Sequence, residues 1–475
     1  MKTIKIHFIV DMDEESAKFC PPLGVARLSA YLKKASDSIE TSMSFMSDNT
    51  VDAITRHKPD ILAFSSTSRY FLKLADLGKQ LKKQFDIPVV WGGVHISIAP
   101  NDLPEYAALA VLGEGEETFF EVLEHYKDKV FHDLENIRGI AYRHNNIVIV
   151  NEKRPLIHSL DGLPYPDLEL VRTSFEETGR AVMLTSRGCP FKCRFCASSV
   201  FWDKIRLHSP EYIISEMLSL VTRFNVKEIL IFDDFFTIDK KRVHKIVQLK
   251  RDIPELAGLS FECLSRIDVF DETLAADLKE MGMRRISFGI ESGCQKTLDY
   301  LKNGKLKLSQ VREAVRIAKA YGMECVGSFV IGSPFETVEE IEETFDLIQQ
   351  LQLDSVQITV ATPFPGTEMW EDGKKLGKIE SDVWSDNYYA MFAVLHDTKA
   401  IDILAEKKLL TSIDPARFIQ LVDKAITIQN KINLSWKFWI RFYVRKTVIS
   451  LGFGFLLKLR KKLLSPKHQS TPNDL

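Results

Sequence analysis

A chain of 475 residues with 45% hydrophobic and 27% charged residues has ordinary globular composition, which excludes a fibrous, disordered or many-pass membrane protein. At roughly 100–200 residues per domain it is too long for one core. Its 65 acidic and 63 basic residues leave a net charge of −2, so the total gives no support to a general polyanion-binding surface.

Residues 1 to about 130 alternate short apolar runs with amphipathic stretches, the pattern of a parallel sheet covered by helices. Strands are predicted at Ile4–Val10, Asp60–Ser65, Val89–Gly92 and Ala108–Leu112, with one further strand of unassigned range before Asp60. Helices are predicted at Leu23–Ala35 and Phe71–Phe85. Five strands with intervening helices point to a Rossmann-like or flavodoxin-like α/β domain, whose ligand site lies beyond the carboxyl ends of the strands. Gly92-Gly93 follows one strand there, and Gly113-Glu114-Gly115-Glu116 follows another and opens a helix. Each pair of glycines permits close backbone approach to a ligand, and a tight turn is the plain alternative.

From about 131 to 178, a hairpin (Ile137–Tyr142, Ile147–Asn151) and the run Leu163-Pro164-Tyr165-Pro166 read as a connector. From 179 to 370, strands are predicted at Val182–Thr185, Lys227–Phe232, Ser260–Leu264, Arg285–Gly289, Cys325–Ile331 and Ser355–Val360. Helices such as Pro210–Phe224, Thr273–Met281, Ser309–Tyr321 and Val338–Leu351 lie between them. Six β/α units make a partial (β/α)6 barrel, in which chemistry belongs on the loops at the strands' carboxyl ends.

Residues 371–430 read as a helical C-terminal region and 431–475 as a basic aromatic tail. Between Lys431 and Lys467 there are ten Lys/Arg and no Asp/Glu, interleaved with aromatics such as Trp436, Trp439 and Phe442. The apolar run Thr447–Leu457 is shorter than the roughly 20 residues of a spanning helix. Basic residues with aromatic anchors suit a helix lying in a membrane interface. A solvated helix packed on its own domain is the alternative, and nucleic-acid binding is not expected.

Seven cysteines is an odd number for a disulfide framework, and Met1–Ile9 has no apolar signal-peptide core, so reduced thiols in the cytoplasm are expected. Three of them, Cys189, Cys193 and Cys196, form a C-x3-C-x2-C run on the first loop of the barrel. One tight loop presents three thiolates to one inorganic cluster, whereas a structural zinc site or an electron-transfer 4Fe-4S cluster needs four ligands. No fourth cysteine is near in sequence, although Cys263, Cys294 or Cys325 is free to approach in space. With three ligands, one iron of a 4Fe-4S cluster stays open to a bound molecule. A fortuitous trio of buried thiols is the plain alternative. Cys263 and Cys325 lie inside apolar strands and read as small buried hydrophobes.

The trio resembles the signature of the radical S-adenosylmethionine enzymes. That resemblance implies that the open iron chelates the amino and carboxylate groups of S-adenosylmethionine, whose reductive cleavage gives methionine and a 5′-deoxyadenosyl radical. Further resemblances follow in order along the barrel. Phe232-Asp233-Asp234-Phe235 is similar to the family's acidic second-strand motif, and Ser287–Gly293 ends the fourth strand with Glu291, a carboxylate suited to ribose hydroxyls. Gly327–Pro334 lies on the fifth strand, where the family packs adenine. The resemblance therefore implies S-adenosylmethionine contacts at Phe195, Asp234, Glu291, Ser328 and Ile331, and a 4Fe-4S cluster on Cys189, Cys193 and Cys196. Arg266, on the third-strand loop, is a candidate to neutralise the methionine carboxylate or a substrate anion, with a structural salt bridge as the alternative.

A Rossmann-like domain ahead of such a barrel is similar to the subfamily with an N-terminal cobalamin-binding domain, over about residues 1–370. The local matches are Pro21–Ala26, Ser65-Ser66-Thr67, Gly92-Gly93-Val94-His95 and Gly113–Glu116. They imply cobalamin contacts at Leu23, Ser66, Gly92, Gly93, Gly113 and Glu114. The D-x-H-x-x-G motif of other cobalamin proteins is absent, since no histidine occurs between His7 and His57, and His95 reads as a backbone-satisfied turn histidine rather than a cobalt ligand. A methylthiotransferase acting on tRNA would need three more cysteines in the first domain, where only Cys20 lies. The resemblance implies a cobalamin-dependent radical S-adenosylmethionine enzyme that methylates an unactivated carbon of a small-molecule or lipid-like substrate. A radical cyclase, oxidase or ring-rearranging enzyme is the alternative. Its partner is an electron donor such as a flavodoxin or ferredoxin, and its location is cytoplasmic, peripheral to the inner face of the membrane through the tail.

Overall fold

In a computed structural model of the protein, the described residues are 3–46, 49–380, 384–385 and 408–433. Nearly all of the expected basic tail, and much of the region from 381 to 407, lie outside them. The first sheet contains β1 (Ile4–Val10), β2 (Ile39–Phe45), β3 (Ile61–Ser65), β4 (Val89–Gly92) and β5 (Leu109–Val111), parallel and in the order β2-β1-β3-β4-β5. This is the flavodoxin-like strand order, whose topological switch point lies between β1 and β3. The central strands are buried on both faces and therefore read as continuous apolar runs. Strand β2 is half-exposed and alternates apolar with hydroxyl residues. It satisfies the buried ring of His7 on β1 through Ser42 (2.8 Å) and Ser44 (2.9 Å), and burial lowers the His7 pKa to about 4.

A short hairpin of β6 (Tyr126–Lys127) and β7 (Val130–Phe131) follows. Then β8 (Ile140–His144) and β9 (Ile147–Val150) add to the β5 edge in antiparallel fashion. The hairpin expected within a connector is thus part of the first sheet, which has seven strands and continues past residue 130.

The second sheet is built from β10 (Arg180–Met183), β13 (Glu228–Ile231), β14 (Ser260–Ser265), β15 (Met283–Glu291), β16 (Glu324–Ile331) and β17 (Ser355–Val360). All its pairs are parallel and the strands run in chain order, the topology of a partial barrel. Helices alternate with the strands and are capped as their sequences dictate. Ser209 accepts from Tyr212 N ahead of Pro210, and Thr337 with Glu340 forms a capping box. Between β10 and β13 the chain makes an excursion whose two ends are joined by an antiparallel pair, β11 (Ser186–Arg187) and β12 (Arg206–Leu207).

The open edge of β17 is covered by the helix Pro415–Asn433. Gln429 Oε1 accepts from Ile358 N at 2.8 Å, while Asn433 accepts from Val356 N and donates to Val356 O, each at 2.8 Å. Side-chain amides thereby replace the missing neighbouring strand. Trp384, 3% exposed, reaches back to the first domain, its backbone N donating to Asp102 Oδ2 at 3.4 Å and its ring lying 6.0 Å from that of His95. No described helix is long and apolar enough to cross a membrane.

Candidate functional site

A cleft of about 410 Å³ lies at the carboxyl ends of the first sheet's strands and is walled on its far side by the barrel. The first domain contributes Asp11 after β1, Ser66 and Thr67 after β3, Gly92 and Gly93 at the end of β4, and Gly113–Glu116 after β5. The barrel contributes Ser186, Arg187, Gly188, Phe201, Trp202, Phe232 and Asp234. The cleft therefore starts at the topological switch point and ends next to Cys189.

Four of its features suit a bulky ligand held by backbone. Gly93 has φ +94°, and a Cβ there would lie 2.7 Å from both Ser66 N and Ser66 O. A Cβ on Gly113 would meet nothing within 4 Å, so this turn faces open space. Ser66 is 2% exposed, and its hydroxyl has no hydrogen-bond partner. Asp11 accepts from the Thr67 hydroxyl at 2.6 Å and from Thr67 N, and burial raises its pKa. A buried hydroxyl without a partner and a glycine-lined strand edge fit a cobalamin group.

Of the residues assigned to cobalamin by resemblance, Ser66, Gly92, Gly93, Gly113 and Glu114 line the cleft. Leu23 does not: its side chain is 5% exposed, and the cleft is lined by its neighbours Pro22 and Gly24. This follows from its place at the start of a helix whose apolar stripe faces inward. Glu114 has a second engagement. Its carboxylate accepts from Arg187, from Arg206 at 2.8 Å and from Ile157 N at 2.8 Å, so it binds barrel and connector to the first domain. Glu116 pairs with the other end of Arg187. Burial of Glu116 favours its neutral form, but the Arg187 charge outweighs this and holds its pKa below the ordinary carboxylate value. His95 is fully buried, with Nδ1 2.9 Å from Ser68 Oγ, Nε2 3.1 Å from Asp102 Oδ2, and its ring stacked on Phe71. Both nitrogens are thus engaged within the first domain, but by side chains and from the short helix Val94–Ile98, not by backbone groups of a turn.

Cys189, Cys193 and Cys196 are all half-buried on the excursion between β11 and β12, with Cys196 N donating to Cys193 O at 3.1 Å. Burial raises the Cys189 pKa and pushes that of Cys196 up to about 11, so these two thiols hold their protons at neutral pH until a metal displaces them. Among the described residues, no three His, Cys, Asp or Glu side chains converge on a single-ion site. An iron–sulfur cubane makes no such demand, because each thiolate binds a different iron, and three thiols on one loop fit it. Arg266 Nη1 lies 4.0 Å from Cys193 Sγ, its guanidinium stacks 3.6 Å from the Phe191 ring centroid, and Asp268 holds it by two hydrogen bonds of 2.9 and 2.8 Å. Arg266 thus belongs to the cysteine loop's surroundings and is also in a salt bridge.

The residues assigned to S-adenosylmethionine are arranged around this loop. The two aspartates after β13 divide their work. Asp233 is buried and accepts from Thr185 N (2.6 Å) and Ser186 N (3.2 Å), fixing the root of the excursion. Asp234 is exposed in the cleft and accepts from Ser198 Oγ at 2.6 Å. Phe195 is half-buried, with Lys302 Nζ 5.7 Å from its ring centroid. Glu291 sits at a register shift at the end of β15 with φ +71°, a left-handed conformation uncommon outside glycine. Its carboxylate is 2.7 Å from Lys302 Nζ and folds over Gly289, where a Cβ would lie 2.6 Å from Oε1. The pair is nearly buried, so the Glu291 carboxylate is engaged by Lys302 rather than open to solvent. Ser328 is half-buried within β16, opposite Gly289, and Ile331 is fully buried at that strand's end.

Cys263 and Cys325 are buried inside β14 and β16, and Cys294 is buried at the start of the helix Gln295–Lys302. The side chains that sequence reasoning missed are Asp11, Arg187, Arg206, Glu116 and Lys302. Asp11 carried a signal, an acid directly after a strand at the ligand edge. Arg187 and Lys302 carried none, because their partners are set only by the fold.

Comparison with known proteins agrees with this architecture. The family model described as the radical SAM superfamily matches residues 183–348, and that of the B12 binding domain matches residues 11–123. An uncharacterized methyltransferase of Pyrococcus horikoshii is 34% identical over 482 residues, covering 96% of this chain and 97% of its own. The anaerobic magnesium-protoporphyrin IX monomethyl ester cyclase of Rubrivivax gelatinosus is 27% identical over 373 residues, covering 74% of this chain and 66% of its own. Among solved structures, the radical S-adenosylmethionine methyltransferase TsrM from Kitasatospora setae superposes with a TM-score of 0.68 at 18% identity, over 80% of this chain and 77% of its own.

Proposed function

The chain belongs to the radical S-adenosylmethionine superfamily, in the branch with an N-terminal B12-binding domain, and from this premise we propose that it is a C-methyltransferase acting on an unactivated carbon of a small-molecule or lipid-like substrate. Its cofactors are a 4Fe-4S cluster, S-adenosylmethionine and cobalamin. The observation that carries the proposal is the shared cleft, which has the glycine-lined strand ends on one wall and Gly188, the neighbour of Cys189, on the other. When bound, the reduced cluster supplies the electron that cleaves S-adenosylmethionine, and cobalamin supplies the methyl group.

In this reading Cys189, Cys193 and Cys196 hold the cluster, and Ser66, Gly92, Gly93 and Gly113 hold cobalamin. Phe195, Asp234 and Ser328 contact S-adenosylmethionine and Lys302 holds Glu291 in place, while Ile331, which has no exposed surface, packs in the core instead. The chain's own work is to orient these groups and to keep water out of the cleft, whose Phe201, Trp202 and Phe232 supply an apolar wall. A radical cyclisation on the same scaffold is the second reading, favoured by the similarity to the cyclase.

Anaerobic reconstitution with iron, sulfide and hydroxocobalamin, then dithionite and S-adenosylmethionine, tests the proposal. 5′-Deoxyadenosine is expected, and its absence overturns the enzyme reading. With S-adenosylmethionine deuterated in its methyl group and an extract of source-cell small molecules and lipids, a trideuteromethyl product is expected. Deoxyadenosine without label transfer favours cyclisation or oxidation. For the tail, the composition of 434–475 supports contact with an anionic membrane surface. Liposome flotation of the full chain against one ending at Asn433, which keeps the β17 edge covered, tests that role.

A further inference from the structure

The cysteine loop is surrounded by cations, and they fall into two groups. The inner group is neutralised: Arg266 by Asp268, Lys302 by Glu291, and Arg194 by Glu368 (2.9 Å) and Asp372 (3.5 Å). The outer group is different. Lys192, between Cys189 and Cys193, and Lys305 are both exposed, and neither has a carboxylate partner among the described residues. Their juxtaposition is built by the fold. The helix Gln295–Lys302 ends in a turn at Asn303 (φ +55°) and Gly304 (φ +69°), and Asn303 Nδ2 donates to Lys192 O. The turn then places Lys305 Nζ 5.6 Å from the centroid of the Phe191 ring, whose other cationic neighbour is Arg266. A cationic face thus sits on the outside of the very loop that carries the three thiols.

Resting on the reading that this loop holds the cluster, we propose that the face marked by Lys192 and Lys305 is the docking surface for an acidic one-electron donor protein. Two arguments favour such a partner over a small anion. The two ammonium groups are carried by exposed residues on separate segments, the cysteine loop and the turn after the helix Gln295–Lys302, and a broad acidic surface engages both together. A protein seated there is separated from the thiols only by the loop itself, which is the short path that electron transfer needs. The step is one electron passing from the reduced donor to the oxidised cluster, with no proton or group transferred. The unpaired state of Lys192 and Lys305 follows: a carboxylate on this chain would compete with the partner's.

The test compares the holoenzyme with its Lys305→Ala and Lys305→Glu variants, reducing the cluster with an acidic flavodoxin or ferredoxin in one arm and with dithionite in the other. The readouts are the rate of loss of visible cluster absorbance and the rate of deoxyadenosine formation. With the protein donor at low ionic strength, the concentration for half-maximal rate is expected to rise about tenfold in Lys305→Glu and less in Lys305→Ala. The gap should narrow as salt is added. Dithionite-driven rates should match those of the unmodified enzyme. Equal use of the donor by all three proteins overturns the proposal, as does failure of the unmodified enzyme to accept electrons from either donor while dithionite works. A matching fall in the dithionite arm also overturns it, since the effect then lies inside the site. If dithionite yields no deoxyadenosine with the unmodified enzyme, it is the functional reading that fails.

Discussion

Glu114 accepts a 2.8 Å hydrogen bond from Arg206 and another from Arg187, so one carboxylate of the first domain grips both strands of the pair from which the cysteine loop springs. The relative placement of the two cofactor sites is therefore set by buried charge. Replacing Glu114 by Gln leaves two guanidinium groups without their shared counter-charge in a site where all three side chains are largely buried. The expected loss is about 3–5 kcal/mol, read from the urea midpoint of the metal-free protein. A loss within the few tenths typical of surface changes would show that the pair does not hold the domains.

Gly93→Ala tests the cobalamin edge. The new methyl group would lie 2.7 Å from Ser66 N and O at a backbone φ of +94°, a conformation that alanine rarely adopts. The β3–β4 edge must shift, and Ser66 with it. The variant is expected to lose hydroxocobalamin on gel filtration while retaining cluster absorbance. Full cobalamin retention would exclude this edge from the binding site.

Arg266→Gln removes a cation that lies 4.0 Å from Cys193 Sγ. A positive charge and N–H donor beside a ligating thiolate favour the reduced, more negative cluster. The midpoint potential in an EPR-monitored titration without S-adenosylmethionine is expected to fall, with Arg266→Lys in between because it keeps the charge but loses the planar fork. An unchanged potential together with weaker S-adenosylmethionine binding would assign Arg266 to the methionine carboxylate instead.

Glu216 gives a pH dependence. It is fully buried on the barrel side, 3.6 Å from Arg27 of the first domain, and burial pushes its pKa from 4.5 up to about 7. Between these values the folded protein keeps a proton that the unfolded chain has released, so this carboxyl's contribution to stability falls as pH rises through that window. His208 works in the opposite sense. Burial lowers its pKa from 6.5 to about 3, so the unfolded chain takes up the proton first and its contribution is lost as pH falls through that range. The difference between Glu216→Gln and the unmodified protein isolates the first effect. The Tm advantage of Glu216→Gln is expected to grow from about pH 5 to about pH 8. A pH-independent difference would mean that Glu216 is ionised throughout.

Much of this was legible in the sequence because the signals are local. The strands β1, β3 and β4 are continuous apolar runs, as parallel strands buried on both faces must be. Strand β2 was not legible as a range, since an edge strand that alternates serine and threonine with apolar residues looks like loop. The hairpin at 140–150 could be read from its turn, but its membership of the first sheet depends on pairing with β5, which no local pattern records. The same division holds in the site. The cysteine spacing is local and legible. The second engagement of Glu114 is not, because Arg187 and Arg206 are more than 70 residues away, and neither is the pairing of Glu291 with Lys302 across a helix.

The antiparallel pairing of Ser186–Arg187 with Arg206–Leu207 has a bearing on the life of the enzyme. The thiols sit on a segment that leaves the barrel and returns to the same place, so the hydrogen-bonded framework closes behind them. A cluster held by these thiols would therefore be a replaceable part: iron and sulfide added to the folded, metal-free chain should rebuild it without any denaturation step.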